Sequence, residues 1–290
     1  MRAANYEAPR SVEDAVALLV TSQGRGHVFA GGTDLLVSLQ NGRVEAELLV
    51  DVKRIERMMR IEHTDGVFRI GAAMCAARLA EHSEFQSAWP GIVEAAELIG
   101  STQIQGRASL GGNLCNASPA ADSVPALLAA AARCVVAGPD GERDVLAQEI
   151  PIGPGKTSLR AGEIIVEFLV PDPQPRSADA YLRMIPRSEM DIAIVGAAAN
   201  ISLDGDGRCT AARVFLAAVA PTVCEVPAAA EALVGRAIDV SVLAEVAEAA
   251  RAASSPIDDH RGTVAYRTRV VGVLAGRATA IARDRALARG

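Results

Sequence analysis

Residues 102–127, TQIQGRASLGGNLCNASPAADSVPAL, constrain the fold more than any other stretch of the chain. They are long and few in charge, yet carry neither the period of an amphipathic helix nor the alternation of a half-buried strand. A solvated linker would be more charged, so the stretch is expected to be an ordered loop held against something. Gly111 and Gly112 allow close backbone approach, and amides freed by paired glycines suit an anionic ligand. A second glycine pair stands upstream in residues 30–36, AGGTDLL. The two loops are expected to meet on one ligand.

The chain has 290 residues, 50% of them hydrophobic, enough for a sizeable core and two or three subdomains. Aromatics are only 3%, so alanine and valine must do most of the filling. A net charge of −6 argues against a nucleic-acid binder, which would show a basic stripe. No apolar run approaches the roughly 20 residues that span a bilayer, and residues 1–10 lack a signal-peptide core. A cytoplasmic protein without a membrane span is expected. The five cysteines (75, 115, 134, 209 and 224) are scattered, with no CxxC and no Cys/His spacing suited to zinc or an iron–sulfur cluster. No metal is expected in this chain, and the thiols read as buried or idle, Cys115 excepted because of its loop.

Along the chain, Ser11 with Asp14 resembles a capping box opening a helix over 12–20. Residues 27–30 read as a buried strand running straight into Gly31 and Gly32, after which Thr33 or Asp34 caps a helix through about residue 40. Strand, glycine turn and helix together place N–H groups where phosphate binds well. A further strand over 48–52 completes β-α-β alternation and a small α/β subdomain. Hairpins are expected over 60–70 and 133–146, helices over 76–84, 91–99 and 123–132, and a strand over 164–170. The run Pro171, Pro173, Pro175 is the best boundary. It divides the chain into 1–175, with subdomains of about 1–55 and 56–175, and a C-terminal α+β domain, 176–290. In the latter, strands are expected over 181–185, 192–203 and 209–219, and helices over 228–233, 240–253 and 264–287. The fold class is α+β.

Three candidates carry little. Residues 153–158, GPGKTS, resemble the tail of a Walker A loop, but the motif's first glycine is replaced by Ile150 and Pro154 removes an amide. Residues 204–207, DGDG, lack the closing glutamate of a calcium loop and read as a hairpin turn. The four histidines (27, 63, 82 and 260) stand apart from one another and from any carboxylate pattern, and read as structural or exposed.

The central stretch is harder to set aside. Asn113 offers donor and acceptor, Ser109 and Ser118 add hydroxyls, and Asp122 stands just before the next helix, where it caps that helix or binds a ligand hydroxyl. Arg107 is the stretch's only basic residue. A diphosphate held mostly by amides fits this pattern. SLGGNLCNASPAADSVPAL and AGGTDLL, in this order and spacing, resemble the FAD-binding subunit of the xanthine dehydrogenase family of molybdenum hydroxylases, which includes the medium subunits of carbon monoxide dehydrogenase. Residues 155–165 (GKT followed by AGEII), 181–193 (YLRMIPRSEMDIA), and Asp258, Asp259, Arg261, Tyr266 and Arg267 resemble further family segments. The likeness runs end to end.

The resemblance implies a PCMH-type FAD-binding domain of two α/β subdomains followed by an α+β domain, with noncovalent FAD. Ala30, Gly31, Gly32, Thr33, Asp34 and Leu35 would form one pyrophosphate loop; Ser109, Gly111, Gly112, Asn113 and Leu114 would form the other, with Ser118 beyond it. Asp122 would serve the ribityl or ribose side, and Ile165 and Arg183 would flank the isoalloxazine, with Arg183 and Arg187 tuning the reduced ring. Ile99 stands where some relatives place an aromatic. No catalytic residue is implied: the chain would be an electron-transfer subunit, with molybdopterin in a large partner subunit and [2Fe-2S] clusters in a small one, the whole a dimer of heterotrimers. The four-cysteine insertion of thioester-reducing relatives is missing. Gly112–Asn113 and Ala117–Ser118–Pro119 differ from the turn usual in carbon monoxide dehydrogenases, which favours oxidation of a heteroaromatic, purine or aldehyde. A non-redox nucleotide-binding protein on the same fold is the competing class.

Overall fold

A computed structural model describes residues 4–290. Among the described residues, three sheets of three to five strands, one two-stranded hairpin and eleven α-helices build a mixed α+β fold. The first unit is a parallel three-stranded sheet of order β1-β3-β2, made by β1 (Asn5–Glu7), β2 (Gly26–Phe29) and β3 (Leu48–Asp51). Helices α1 (Val12–Thr21) and α2 (Leu35–Gln40) connect its strands. The Ser11 hydroxyl caps α1 by accepting from the Asp14 N–H, as the sequence suggests. Strand β1 escapes the sequence reading because its three residues are all exposed and show no alternation.

The second unit holds a sheet of order β4-β5-β10-β6-β7, from β4 (Ile61–Thr64), β5 (Val67–Gly71), β6 (Arg133–Gly138), β7 (Gly141–Leu146) and β10 (Ile164–Pro171), with the small hairpin of β8 (Pro151–Gly153) and β9 (Lys156–Thr157) beside it. Both expected β-hairpins form. The expected helix over 76–84 is two helices, α3 (Ala76–Ala80) and α4 (Ser83–Ala88), because His82 is extended and its Nδ1 accepts from the Phe85 N–H. Then come α5 (Pro90–Glu97), α6 (Thr102–Gln105), α7 (Leu110–Cys115) and α8 (Ser123–Ala129).

The third unit is an antiparallel sheet of β11 (Ser177–Met184), β12 (Val195–Leu203), β13 (Cys209–Ala217) and β14 (Cys224–Glu225), followed by α9 (Pro227–Leu233), α10 (Val240–Ala253) and α11 (Val264–Ala288). Strand β11 starts earlier than the sequence suggests. Its opening residues Ser177, Ala178, Asp179 and Ala180 have little strand propensity, and only full burial between two layers places them in a strand.

Strand alternation divides this sheet's side chains between two cores. Ala178 and Ala180 of β11 and Ala197, Ala199 and Ile201 of β12 face α9–α11, whereas Tyr181, Ala198 and Phe215 join the core of residues 12–170. Asp179 belongs to the same face as Tyr181: its carboxylate accepts from the Gly91 and Ile92 N–H groups at the start of α5. Arg183, two residues further along, is therefore presented to the start of α8.

Candidate functional site

The chain leaves β2 at Phe29 and turns sharply. Gly32 has φ +76°, a left-handed conformation that disfavours a side chain, and a Cβ there would lie 2.4 Å from the Phe29 ring. Gly31 is dictated by packing: a Cβ on it would lie 2.1 Å from the Arg107 carbonyl oxygen. The N–H groups of Gly31, Gly32, Thr33 and Asp34 find no protein acceptor among the described residues. Leu36 N–H is bonded to Gly32 O and Ser38 N–H to Asp34 O as α2 begins. Asp34 takes the N-cap position, but neither it nor Thr33 caps the helix with its side chain; burial raises the Asp34 carboxyl pKa.

The second glycine pair behaves differently. Residues 102–127 are not one long loop but contain α6, α7 and the start of α8. Helices of 4, 6 and 7 residues are too short to display an amphipathic period, and α8 is buried on every side. Gly111 and Gly112 open α7. Their amides are not free: Gly111 N–H donates to Ala72 O at 3.1 Å, and Gly112 N–H donates to the N-cap hydroxyl of Ser109 at 3.1 Å. Gly111 is needed because a Cβ would lie 2.5 Å from Ala72 O. Gly112 is needed by nothing within the protein, since its Cβ would meet only the Ser109 hydroxyl, at 3.2 Å.

Both loops line one cleft of about 310 Å³, within the range of small-molecule sites. Ala30, Gly31, Gly32, Thr33, Asp34 and Leu35 come from the first loop; Ser109, Gly111, Gly112 and Asn113 come from the second. Ile165 of β10 and Ile99 line it as well. Leu114, Ser118, Asp122 and Arg183 do not line it. Leu114 is wholly buried in the core, and the Ser118 hydroxyl accepts from Ala120 N–H. Asp122 accepts from Tyr181 Oη at 2.9 Å and from Arg183 Nη1 at 2.6 Å. Burial pushes the Asp122 carboxyl up to about 6, against the pull of Arg183. The pair is no surface salt bridge: the Arg183 side chain is 4% exposed, and its Nε is buried without an acceptor. Arg187, by contrast, is solvent-exposed and pairs with Asp191.

One link ties this layer to the cleft. Asn113 Oδ1 accepts from both the N–H and the hydroxyl of Ser123, the residue after Asp122. Sequence reasoning missed Ala72, Ala73 and Leu159 on the cleft wall, small or isolated residues that carry no motif. Cys115 also lines the cleft.

The minor candidates resolve by geometry. The GPGKTS segment forms the β8–β9 hairpin, not a strand-to-helix turn, and Asp204–Gly207 turns β12 into β13. His63 is exposed, as expected, but has carboxylate partners that its sequence neighbourhood does not show. Distant in sequence from any acidic partner, it sits 2.7 Å from both Glu84 and Asp172 and stacks on Phe68; Glu84 foremost raises its pKa. Among the described residues, no helix is long and apolar enough to cross a membrane, and no cluster of three His, Cys, Asp or Glu could hold a metal.

Comparison with known proteins agrees with this architecture. A family model described as FAD binding domain in molybdopterin dehydrogenase matches residues 2–173, and one described as CO dehydrogenase flavoprotein C-terminal domain matches residues 180–282. The chain is 30% identical to the 6-hydroxypseudooxynicotine dehydrogenase complex subunit alpha of Paenarthrobacter nicotinovorans, over 97% of this chain and 95% of the relative. It is also 30% identical to a xanthine dehydrogenase FAD-binding subunit of Escherichia coli O157:H7, over 92% of each. A solved carbon monoxide dehydrogenase from Hydrogenophaga pseudoflava superposes with a TM-score of 0.93 at 32% identity, covering 97% of this chain and 98% of that one.

Proposed function

The chain belongs to the FAD-binding medium subunits of the carbon monoxide dehydrogenase and xanthine dehydrogenase family of molybdenum hydroxylases, and from that premise we propose that it is the flavin electron-transfer subunit of a cytoplasmic complex oxidising a heteroaromatic, purine or aldehyde. FAD in the cleft would supply the redox chemistry, taking electrons from the [2Fe-2S] clusters of a small partner and yielding them to an external acceptor. A large partner would carry molybdopterin, in a dimer of heterotrimers. The preference for an organic substrate over carbon monoxide rests on Asn113 and Ala117–Pro119.

The single observation that carries the reading is the meeting of the two glycine loops. Gly31 lies against the Arg107 backbone, so both loops form one cleft wall. The residues present fit a flavin dinucleotide. Four consecutive N–H groups, Gly31 to Asp34, have no acceptor among the described residues and would serve a diphosphate without requiring basic side chains. Gly112 presents a bare backbone to the cleft where no protein atom demands one. Ile99 and Ile165 offer aliphatic faces to a ring system.

Ser109 and Asn113 would hold the second side of the diphosphate. Leu114 would anchor α7 from behind, and Ser118 would shape the turn that follows it. Asp122, through the adjacent Ser123, would keep Asn113 oriented. Arg183 stands outside the cleft, and its ion pair with Asp122 would hold the start of α8 in place behind Asn113. No group of this chain is assigned an acid, base or nucleophile role.

The test is purification with the neighbouring gene products. A yellow chain binding one FAD, co-purifying with molybdenum and iron–sulfur subunits and reduced by an N-heterocycle, purine or aldehyde, supports the reading. Reduction by carbon monoxide alone would assign the complex to the other branch. A colourless chain that gains no flavin absorbance on adding FAD would leave the non-redox nucleotide binder.

A further inference from the structure

Beside the first glycine loop, three polar side chains, Tyr6, Asp51 and Lys53, form a chain of hydrogen bonds that ends on one backbone carbonyl, that of Ala30. Lys53 Nζ donates to Ala30 O at 2.7 Å and to Asp51 Oδ1 at 2.8 Å. The Asp51 carboxylate also accepts from the Lys53 N–H at 3.0 Å and from the Tyr6 hydroxyl at 2.5 Å. Asp51 is itself buried, at 6% exposure. Burial works to raise its carboxyl pKa, but Lys53 and Tyr6 hold it below the ordinary carboxylate range. The ammonium also lies 4.2 Å from the centroid of the Phe29 ring, a cation–π contact.

A lysine ammonium has three donors. Here two are spent on Ala30 O and Asp51, and the aromatic face takes up the remaining side of the charge. Asp51 also neutralises it. Lys53 is absent from the cleft lining, so this cation is not poised to bind an anion. Its work is done on the backbone.

That work follows from the planarity of the peptide unit. In a trans peptide the carbonyl of Ala30 and the N–H of Gly31 point in opposite directions. Fixing Ala30 O toward Lys53 therefore fixes the Gly31 N–H away from it. Packing of Gly31 against the Arg107 carbonyl limits the loop's movement but gives this peptide no hydrogen bond: the Gly31 N–H has no acceptor among the described residues, and Gly32, next along, sits at φ +76°. Without the clamp, the Ala30–Gly31 peptide could rotate and turn a carbonyl to where a donor is needed.

We infer that Tyr6, Asp51 and Lys53 form a positioning relay that locks the Ala30–Gly31 peptide, presetting the first glycine loop for the cofactor diphosphate. The inference rests on the flavin reading given above. Lys53 is the positioning residue; Asp51 holds its ammonium in place, and Tyr6 orients the carboxylate. No sequence motif marks the relay, because Tyr6 lies on β1 and reaches Asp51 only through the parallel pairing of β1 with β3.

The test uses the full chain freed of flavin and titrated with FAD, comparing wild type with Lys53→Met, Lys53→Arg and Tyr6→Phe. Methionine keeps a long apolar stem against Phe29 but removes both donated bonds. Hydrogen bonds to charged groups are worth enough that the dissociation constant should rise about tenfold or more in Lys53→Met. Lys53→Arg should recover most of the affinity, and Tyr6→Phe should weaken it by a smaller factor. The visible-region circular dichroism of the bound flavin should change in Lys53→Met and return in Lys53→Arg; the thermal midpoint of the flavin-free chain should fall in Lys53→Met, because the buried Asp51 loses its counter-charge, and recover in Lys53→Arg. Wild-type affinity and an unaltered flavin spectrum in Lys53→Met would overturn the relay. So would a large fall in the flavin-free midpoint without recovery in Lys53→Arg, which would make Lys53 merely structural. Failure of the wild type itself to bind FAD would instead overturn the flavin reading, a distinct outcome.

Discussion

Gly112→Val separates binding from folding more cleanly than any other substitution in the cleft. The residue is helical, so no left-handed backbone stands in the way, and replacing glycine in a helix by valine gains a few tenths of a kcal/mol. Against this, the new Cβ lies 3.2 Å from the Ser109 hydroxyl, its only neighbour within 4 Å. If Ser109 is pushed off its cap, the loss is about 1 kcal/mol. The net cost to the fold is therefore about 1 kcal/mol at most, or roughly 2–4 °C in thermal midpoint for a chain of this size. On the ligand side, two methyls enter the surface that the diphosphate must approach. Overpacking of this kind costs about 1–3 kcal/mol, which weakens FAD binding about 5- to 150-fold. Flavin absorbance per chain after gel filtration, a titration of the flavin-free protein, and a thermal melt measure the three quantities. Gly31→Ala is the counterpart, because its Cβ would lie 2.1 Å from a backbone oxygen and must force the two loops apart, lowering stability and flavin content together. A Gly112→Val protein with wild-type occupancy and affinity would refute the reasoning.

Two further outcomes follow from the ion pairs. Asp122→Ala strands the buried Arg183 guanidinium and the Tyr181 hydroxyl, and should destabilise the chain by about 3–5 kcal/mol in urea unfolding; a double replacement with Arg183→Met should recover a large part, and strict additivity would argue against coupling. Glu167 is a buried carboxylate on β10: burial pushes its pKa up, but Arg57 and Arg69 outweigh this and bring it below its ordinary value of 4.5. Its folded pKa being depressed, the stabilisation is present above pH 4.5 and is lost as pH falls through the folded value, so urea midpoints of wild type should drop below pH 4.5 by more than those of Glu167→Gln. Parallel acid profiles for the two proteins would show that the Arg57–Glu167–Arg69 cluster contributes nothing to acid stability.

Much of the fold is written locally. The Ser11 cap, the glycine-marked turns and the long apolar periods of α10 and α11 place those elements within a residue or two of their observed ends. Elements that depend on their neighbours are less legible. Strand β11 opens with serine, alanine and aspartate and exists because two layers enclose it. Helices α6 and α7 are too short to show a period, so their segment looks irregular until it is packed.

The site divides in the same way. By itself the sequence determined which backbone positions must stay bare, since Gly31, Gly32, Gly111 and Gly112 are chemical facts that precede folding, and it determined that two such stretches share one chain with the residues of a flavin family. Only the tertiary structure decided what each glycine is for. Gly31 and Gly111 let segments distant in sequence touch, Gly32 makes the turn, and Gly112 alone faces the cleft with no protein neighbour that demands it. The structure likewise decided which amides are free, those of residues 31–34 and not those of Gly111 and Gly112, because a hydrogen-bond partner such as Ala72 O is supplied by another strand's end and cannot be read from the residue that uses it. Local chemistry sets what a residue is able to do; packing sets which of its groups are left over to do it.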